Sequence, residues 1–260
     1  MDLRLRNKVI IVTGGSKGIG EGITRAIAEE DGIPIIATKS EEATHHLIRE
    51  LADRGKKAGH IIGDLQEVDF CKRVVQYAIK EFGSIYGIVN NAGVNDGAGL
   101  EAGPQAFKNS VEMNLFHYYN LVHFALPQLK ESKGSIINIS SKVALTGQGG
   151  TSGYAASKGA QLALTREWAA ELLPYDIRVN AILPSEVMTP LYRNWLDRTF
   201  EDPKGKEQEI VSKIPLGKRM TTIEEMGALA VFLLSEVSSH TTGQFLFADG
   251  GYVHLDRSLT

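Results

Sequence analysis

The sequence holds a single cysteine among 260 residues, so no internal disulfide can form. That suits a reducing compartment, and the cytoplasm is the expected location. Cys71 shares helical spacing with Val74, Val75 and Ala78, which reads as a buried packing thiol rather than a nucleophile. The seven histidines make no HxxxH pattern, so no metal is expected. No apolar run reaches membrane-spanning length, and the charged start MDLRLRNK leads straight into a strand rather than a secretion signal. The net charge of −3 comes without a basic stripe or a block of like charge, which excludes nucleic acid as a main partner. Repeats, linkers and low-complexity segments are missing as well.

What remains is ordinary globular material, 43% hydrophobic and 23% charged, long enough for one large α/β domain. Short apolar runs at 8–13, 33–38, 58–62, 85–90, 134–140, 177–183 and 244–248 read as strands. Helical patterns separate them, at 18–30, 41–54, 67–82, 104–130, 154–173 and 226–234. Pro174 stops the fifth of these helices. Strands alternating with helices imply a parallel sheet covered on both faces. The segment 185–214 is polar and aromatic and breaks the alternation. An insertion there lies beyond the carboxyl ends of the strands, where open α/β sheets bind ligands. The expected organisation is one domain, 1–260, with a flap over the substrate at about 185–214.

Thr13-Gly14-Gly15-Ser16-Lys17-Gly18-Ile19-Gly20 follows the first strand and opens a helix. Glycines there allow a tight turn and close approach of a phosphate, and the helix N-terminus attracts negative charge. The spacing is one residue longer than the usual dinucleotide fingerprint. After the second strand comes Thr38-Lys39-Ser40, with no carboxylate in the place that would bind the ribose 2′-hydroxyl of NAD. Lys39, with Lys17 near it, favours NADP, although Glu41 and Glu42 follow closely and Lys39 also suits a solvated strand end. Asp64, with Leu65 after the third strand, suits an adenine amino group or an N-cap for the helix near Glu67. Asn91-Ala92-Gly93 close the fourth strand, as a ribose contact or as turn chemistry.

Tyr154 and Lys158 stand four residues apart on one helical face. For a phenol to act as a base near neutral pH its pKa must fall by ~2.5 units, or ~3.4 kcal/mol. An ammonium ~4 Å away at an effective dielectric near ~20 supplies ~4 kcal/mol. The lysine alone is then of the right magnitude. The other reading is an ordinary amphipathic pair. Ser140 and Ser141 lie just upstream.

Taken together, TGxxxGxG, the aspartate after strand three, NNAG, Asn114, Ser141 and YxxxK resemble the short-chain dehydrogenases/reductases in order and spacing along essentially the whole chain. The resemblance implies a Rossmann-type doubly wound sheet of about seven strands in the order 3-2-1-4-5-6-7, with helices on both faces. It implies a catalytic set of Asn114, Ser141, Tyr154 and Lys158, with Tyr154 and Lys158 also contacting the cofactor, Lys158 at the nicotinamide ribose, and Asn114 anchoring a water of the proton relay. It places Pro184, Val187 and Thr189 at the nicotinamide end of the cofactor, Thr189 holding the carboxamide. Where the family often has Pro-Gly this chain has Pro184-Ser185, which puts the local backbone path in doubt. Homotetramers are common in the family, and the tail around His254, Asp256 and Arg257 would then reach a neighbouring subunit.

Four segments, at 90–97, 140–169, 186–195 and 250–257, are also similar to those of the family's bacterial L-fucose dehydrogenases. That similarity implies oxidation of the anomeric hydroxyl of L-fucose, or of a related aldose such as L-galactose or D-arabinose, to the lactone. Asn95, Asp96, Gln148, Glu186, Tyr192, Asn194 and Trp195 are polar or amphipathic groups suited to a polyol, with Gln148, Glu186 and Trp195 the leading sugar contacts. Ser141 and Tyr154 would meet the same sugar. The alternatives are a hydroxysteroid or 3-oxoacyl thioester substrate, or a dinucleotide-sensing scaffold without chemistry.

Overall fold

A computed structural model describes residues 2–255; Asp256 and Arg257 lie outside the described residues. Seven strands form one parallel sheet in the order β3-β2-β1-β4-β5-β6-β7, as expected. They are β1 Val9–Thr13, β2 Ile33–Thr38, β3 Gly59–Ile62, β4 Gly87–Asn90, β5 Ser135–Ile139, β6 Arg178–Pro184 and β7 Phe245–Ala248. β1 lies between β2 and β4, so the strand order reverses there and a crevice opens at the carboxyl ends of β1 and β4.

Side-chain alternation explains the two covered faces. Val9 and Ile11 of β1 join one core with Val74 and Ala78 of α3 (Val68–Phe82), Leu121 and Ala125 of α5 (His117–Ser132), and Trp168 of α6 (Ser152–Leu172). Ile10 and Val12 point the other way, into a core with Ile23 and Ile27 of α1 (Gly18–Glu29) and Met226 and Leu233 of α9 (Ile223–Leu234). Cys71 is fully buried in the first core, and burial pushes its thiol up to about 12, as fits a packing role. α2 (Glu41–Asp53) adds Leu47 and Leu51 against Ile36. α1 and α9 cross so closely that a Cβ on Gly22 would run into the Ile223 carbonyl.

Two expectations change. The single helix read at 104–130 is divided: α4 covers Gly103–Val111, a π-turn covers Glu112–Phe116, and α5 follows. The π-turn carries Asn114, and such turns often mark functional sites. The segment 185–214 is also more regular than its composition suggests. It contains α7 (Pro190–Thr199) and α8 (Pro203–Ser212), each with a proline in its first turn and a side-chain cap, from Thr189 and Asp202 respectively. Among the described residues no helix is long and apolar enough to cross a membrane, and no group of three or more His, Cys, Asp or Glu is placed to hold a metal ion.

Candidate active site

The crevice is laced together at its base. The Asn91 and Ala92 N–H groups donate to Thr13 Oγ1 at 2.8 and 2.9 Å, and Asn91 Nδ2 donates to the Thr13 carbonyl at 2.8 Å. Gly14 and Gly18 have φ of +63° and +56°, a region L side chains rarely adopt. A Cβ on Gly20 would collide with the Gly14 carbonyl, and one on Gly18 would stand 3.0 Å from Thr189 Cγ2. The loop is therefore a cradle that side chains would fill, bounded on its far side by the start of the 185–214 segment. Lys17 precedes α1 without capping it through its side chain, so the α1 N-terminus keeps free donors. Ser16 is buried at the loop floor, and Ile19 packs against the α1–α9 core. These features fit the phosphates of a dinucleotide.

At the end that would meet adenosine, Lys39 is exposed and pairs with Asp64 at 2.7 Å. Burial tends to raise the Asp64 carboxyl, but the hydrogen bonds from Lys39 and the Gln66 N–H outweigh it and hold the pKa below the ordinary range. Asp64 does not cap α3: Glu67 holds that position, and Asp64 Oδ1 instead accepts from the Gln66 N–H at 3.0 Å. The Leu65 side chain is in the core and its carbonyl accepts from Cys71, so only its backbone can face a ligand. At the other end, Pro184 closes β6, Val187 is buried, and Thr189 Oγ1 caps α7 by accepting from the Tyr192 N–H at 3.1 Å. Ser185 is not among the residues with positive φ, so the chain takes the turn without glycine. Its hydroxyl is buried without a partner, an orphan donor beside the place where a carboxamide would lie.

Around Tyr154 the two serines divide their work. Ser140 Oγ donates to the Lys158 carbonyl at 2.9 Å and fastens α6 to the end of β5. The Ser141 hydroxyl, which accepts from the Val143 N–H at 3.4 Å, faces the phenol and favours its ionised form. Asn114 is fully buried and committed: Oδ1 accepts from the Val94 N–H at 2.8 Å, Nδ2 donates to the Ser110 carbonyl at 2.9 Å, and its own carbonyl accepts from Gln161 Nε2 at 2.8 Å.

The expected acidification of the phenol is not what the chain alone produces. Burial pushes Tyr154 up to about 12, with the Ser141 hydrogen bond opposing it. Burial also brings Lys158 down to about 7. The Lys158 ammonium donates to the Ile139 carbonyl at 2.7 Å and to Tyr118 Oη at 3.4 Å, and lies 5.5 Å from the centre of the Tyr154 ring. Loss of hydration on both groups, omitted from the simple pair estimate, is the reason for the correction.

The candidate sugar contacts separate. Glu186 forms an ion pair with Lys142, the neighbour of Ser141, and accepts from Tyr192 Oη at 2.7 Å. Both members of the pair are only 13% exposed. Lys142 also sits 4.2 Å over the Tyr252 ring. Trp195 packs edge-on against Tyr192 and Phe200 and stays 43% exposed, so part of its face is open. Gln148 is exposed in the loop before α6. Asn95 and Asp96 serve the local turn, and Asp96 also accepts from Ser110 Oγ at 2.9 Å. His254 lies against Phe247 at 4.3 Å. The groups that sequence reasoning missed are Lys142, Tyr118 and Gln161. Tyr118 had a weak signal, one helical turn beyond Asn114; the other two had none. A groove of about 780 Å³ between α7 and α8, lined by residues such as Asp197 and Lys204, shares no lining residue with this site.

Comparison with known proteins agrees with this geometry. A family model described as enoyl-(acyl carrier protein) reductase matches residues 14–253. The chain is 38% identical to L-fucose dehydrogenase of Rattus norvegicus, over 95% of this chain and 90% of that one. It is 33% identical to the 3-oxoacyl-(acyl-carrier-protein) reductase of Thermotoga maritima, over 96% and 100%. Among solved structures, the Cj0485 dehydrogenase superposes with a TM-score of 0.94 at 48% identity, covering 100% of this chain and 99% of that one. The ligand-free aldohexose dehydrogenase of Thermoplasma acidophilum superposes with a TM-score of 0.88 at 31% identity, covering 99% and 98%. A parallel sheet in this order, with a glycine cradle at its crevice and with these relatives, places the chain in the short-chain dehydrogenase/reductase family of oxidoreductases.

Proposed function

We propose that the protein oxidises the anomeric hydroxyl of L-fucose or a closely related aldose to the lactone, with NADP as cofactor. The observation that carries this reading is the cluster next to Ser141. Lys142, Glu186 and Tyr192 form a half-enclosed set of hydrogen-bonding groups, with the open face of Trp195 beside them. A polyol needs several hydrogen bonds and one apolar face, whereas an acyl or steroid substrate needs a mainly aliphatic wall. L-fucose and aldohexose dehydrogenases among the relatives support the same direction.

In this scheme Tyr154 removes the proton of the anomeric hydroxyl, and Ser141 hydrogen-bonds the same oxygen as charge develops on it. Lys158 carries the balancing positive charge, because a phenolate in this buried site is stable only beside a cation. Bound nicotinamide supplies the hydride acceptor. Gly14, Ser16, Lys17, Gly18, Ile19 and Gly20 would hold the pyrophosphate, Asp64 and the Leu65 backbone the adenine, Asn91, Ala92 and Gly93 a ribose, and Pro184, Val187 and Thr189 the carboxamide. Lys39 would meet the 2′-phosphate. Its pairing with Asp64 is no obstacle, since an exposed ion pair of this kind is worth only ~0–1 kcal/mol and exchanges readily.

The 3-oxoacyl thioester reading keeps a claim through the 33% identical reductase. Initial rates with L-fucose, L-galactose, D-arabinose and an acetoacetyl thioester, each with NAD and NADP, decide between the two. Turnover of the thioester alone would overturn the sugar assignment. A second measurement addresses the cofactor: Lys39→Asp should move the ratio of kcat/KM toward NAD by an order of magnitude or more, and an unmoved ratio would remove Lys39 from the site. We also propose a single domain whose 185–214 segment covers the substrate, and a cytoplasmic homotetramer formed in part along α4 and α5, where Phe107, Phe116 and Tyr119 are exposed. Sedimentation velocity tests the assembly, and a monomer would refute it.

A further inference from the structure

Beneath the catalytic pair lies a second phenol that the scheme above does not use. Tyr118, on the first turn of α5, is completely buried. Its hydroxyl donates to the Ile139 carbonyl at 3.1 Å, and that same carbonyl accepts from Lys158 Nζ at 2.7 Å. The Tyr118 oxygen in turn accepts from Lys158 Nζ at 3.4 Å. The ammonium sits 5.7 Å from the centre of the Tyr118 ring and 5.5 Å from that of Tyr154, midway between two phenols. A tyrosine in a core with its hydroxyl on a carbonyl is unremarkable by itself. Sharing that carbonyl with the lysine, while also touching the lysine, is a different arrangement.

We propose that Tyr118 is a positioning residue for Lys158: its hydroxyl and the Ile139 carbonyl together fix two of the three ammonium N–H bonds and leave one for the reaction. The geometry matters because Lys158 is 2% exposed and has no water shell to replace a lost acceptor. The other groups around it do not do this work. His117, also on α5, stays neutral through its burial, which pushes it down to about 3. Asn114 from the π-turn does not titrate, and its polar atoms are committed elsewhere. The Gly93 backbone lies close by without a side chain. Tyr154 is the one titrating partner on the lysine's own helix, and no carboxylate contributes to its lowered pKa, for which burial is the cause. Tyr118 itself is held well above the ordinary phenol range, first by burial and then by Tyr154, so it serves as a fixed dipole and not as a second acid.

The inference rests on the roles proposed above for Tyr154 and Lys158 and is indifferent to the identity of the substrate. Removing the Tyr118 hydroxyl takes an acceptor from a buried cation, so Lys158 should lose its proton at lower pH. A lysine that is less readily charged supports the phenolate less, so the base should ionise at higher pH. The two inflections therefore move further from their ordinary values, the lysine down and the phenol up, whereas a general loosening of the core would rehydrate both groups and bring the lysine up and the phenol down.

The test is Tyr118→Phe, which keeps the ring and removes the hydroxyl, with its melting temperature recorded to establish that it folds. The acid limb of kcat/KM for oxidation should move up by about one pH unit, and the inflection in affinity for NADPH, followed by nicotinamide fluorescence with NADH in parallel, should move down by about the same. Both inflections staying within about 0.2 unit of the parent protein would overturn the proposal. Should the Phe protein not fold, Tyr118→Met lacks the same hydroxyl and carries the same two readouts. The fluorescence arm needs no turnover, so it still decides the matter if no sugar proves to be a substrate.

Discussion

At the scale of the residue, the site sets two buried groups against their own charges. Tyr154 at about 12 and Lys158 at about 7 are each pushed by burial toward neutrality, and the proposed scheme needs each of them charged when the proton moves. The charged pair can form only together, so removing either member should be far worse than losing one hydrogen bond. Tyr154→Phe should lower kcat by about 10²–10⁴-fold, with the dissociation constant for NADPH within about twofold of the parent. Near-normal turnover would remove Tyr154 from the role of base. Lys142 sits next to Ser141 but acts on a different quantity. Lys142→Met leaves Glu186 half-enclosed with Tyr192 as its remaining partner, so KM for the sugar should rise about tenfold or more while NADPH affinity holds. An unchanged KM would detach the Lys142–Glu186 pair from the substrate. This pair was half-legible in the sequence. Glu186 stood out as a polar group after a strand, whereas Lys142 looked like any solvated lysine, because its partner arrives from 44 residues further along the chain.

At the scale of the element, legibility followed local signals. Short apolar runs located every strand to within two residues, since strands buried on both faces are mainly apolar and admit a polar side chain such as Asn138 only where it finds a hydrogen-bond partner. The π-turn at 112–116 was invisible because one extra residue in a helix scarcely disturbs its periodicity. α7 and α8 were hidden by their polar faces, although Thr189-Pro190 and Asp202-Pro203 are cap-and-proline signals that could have revealed both. Contacts between distant elements left no local signal at all. Arg178 is an example: it opens β6, yet its guanidinium donates to the carbonyls of Leu233, Leu234 and Ser235 and to Ser238 Oγ, all between 2.6 and 3.0 Å. It thus replaces the missing partners at the carboxyl end of α9 and favours that end electrostatically. Arg178→Met should destabilise the fold by ~2–4 kcal/mol, read as a lower urea midpoint at unchanged slope. A loss below ~0.5 kcal/mol would mean that the carbonyls are satisfied in another way.

At the scale of the whole molecule, buried bases tie stability to pH. His117 is 1% exposed, and neither ring nitrogen makes a well-formed hydrogen bond. Burial pushes its imidazole down to about 3, the Lys158 charge adds to this, and the Met113 backbone opposes it in part. The sign follows from proton counts. Above pH ~6.5 both native and unfolded chains hold His117 neutral; below it the unfolded chain binds a proton that the native protein refuses until about pH 3. Stability from this residue is therefore complete above pH ~6.5 and declines as the pH falls toward 3, by ~1.4 kcal/mol per unit. Lys158, lowered to about 7, has the same sign but acts between its ordinary value and 7, so it adds no slope below that. Glu209 and Glu225, held at about 2, are lost only at more acidic pH. The window from pH 6.5 to 4.5 thus isolates the histidines. His60 contributes in the same direction, being lowered by burial and by His45, but it is less enclosed than His117. Urea unfolding at pH 7.5 and 4.5 should find the parent protein losing ~2–3 kcal/mol through His117. His117→Leu gives up no well-formed hydrogen bond and should remove that part of the loss, while His60→Gln should remove less. If the difference between the two pH values is the same in His117→Leu as in the parent, the acid sensitivity lies elsewhere.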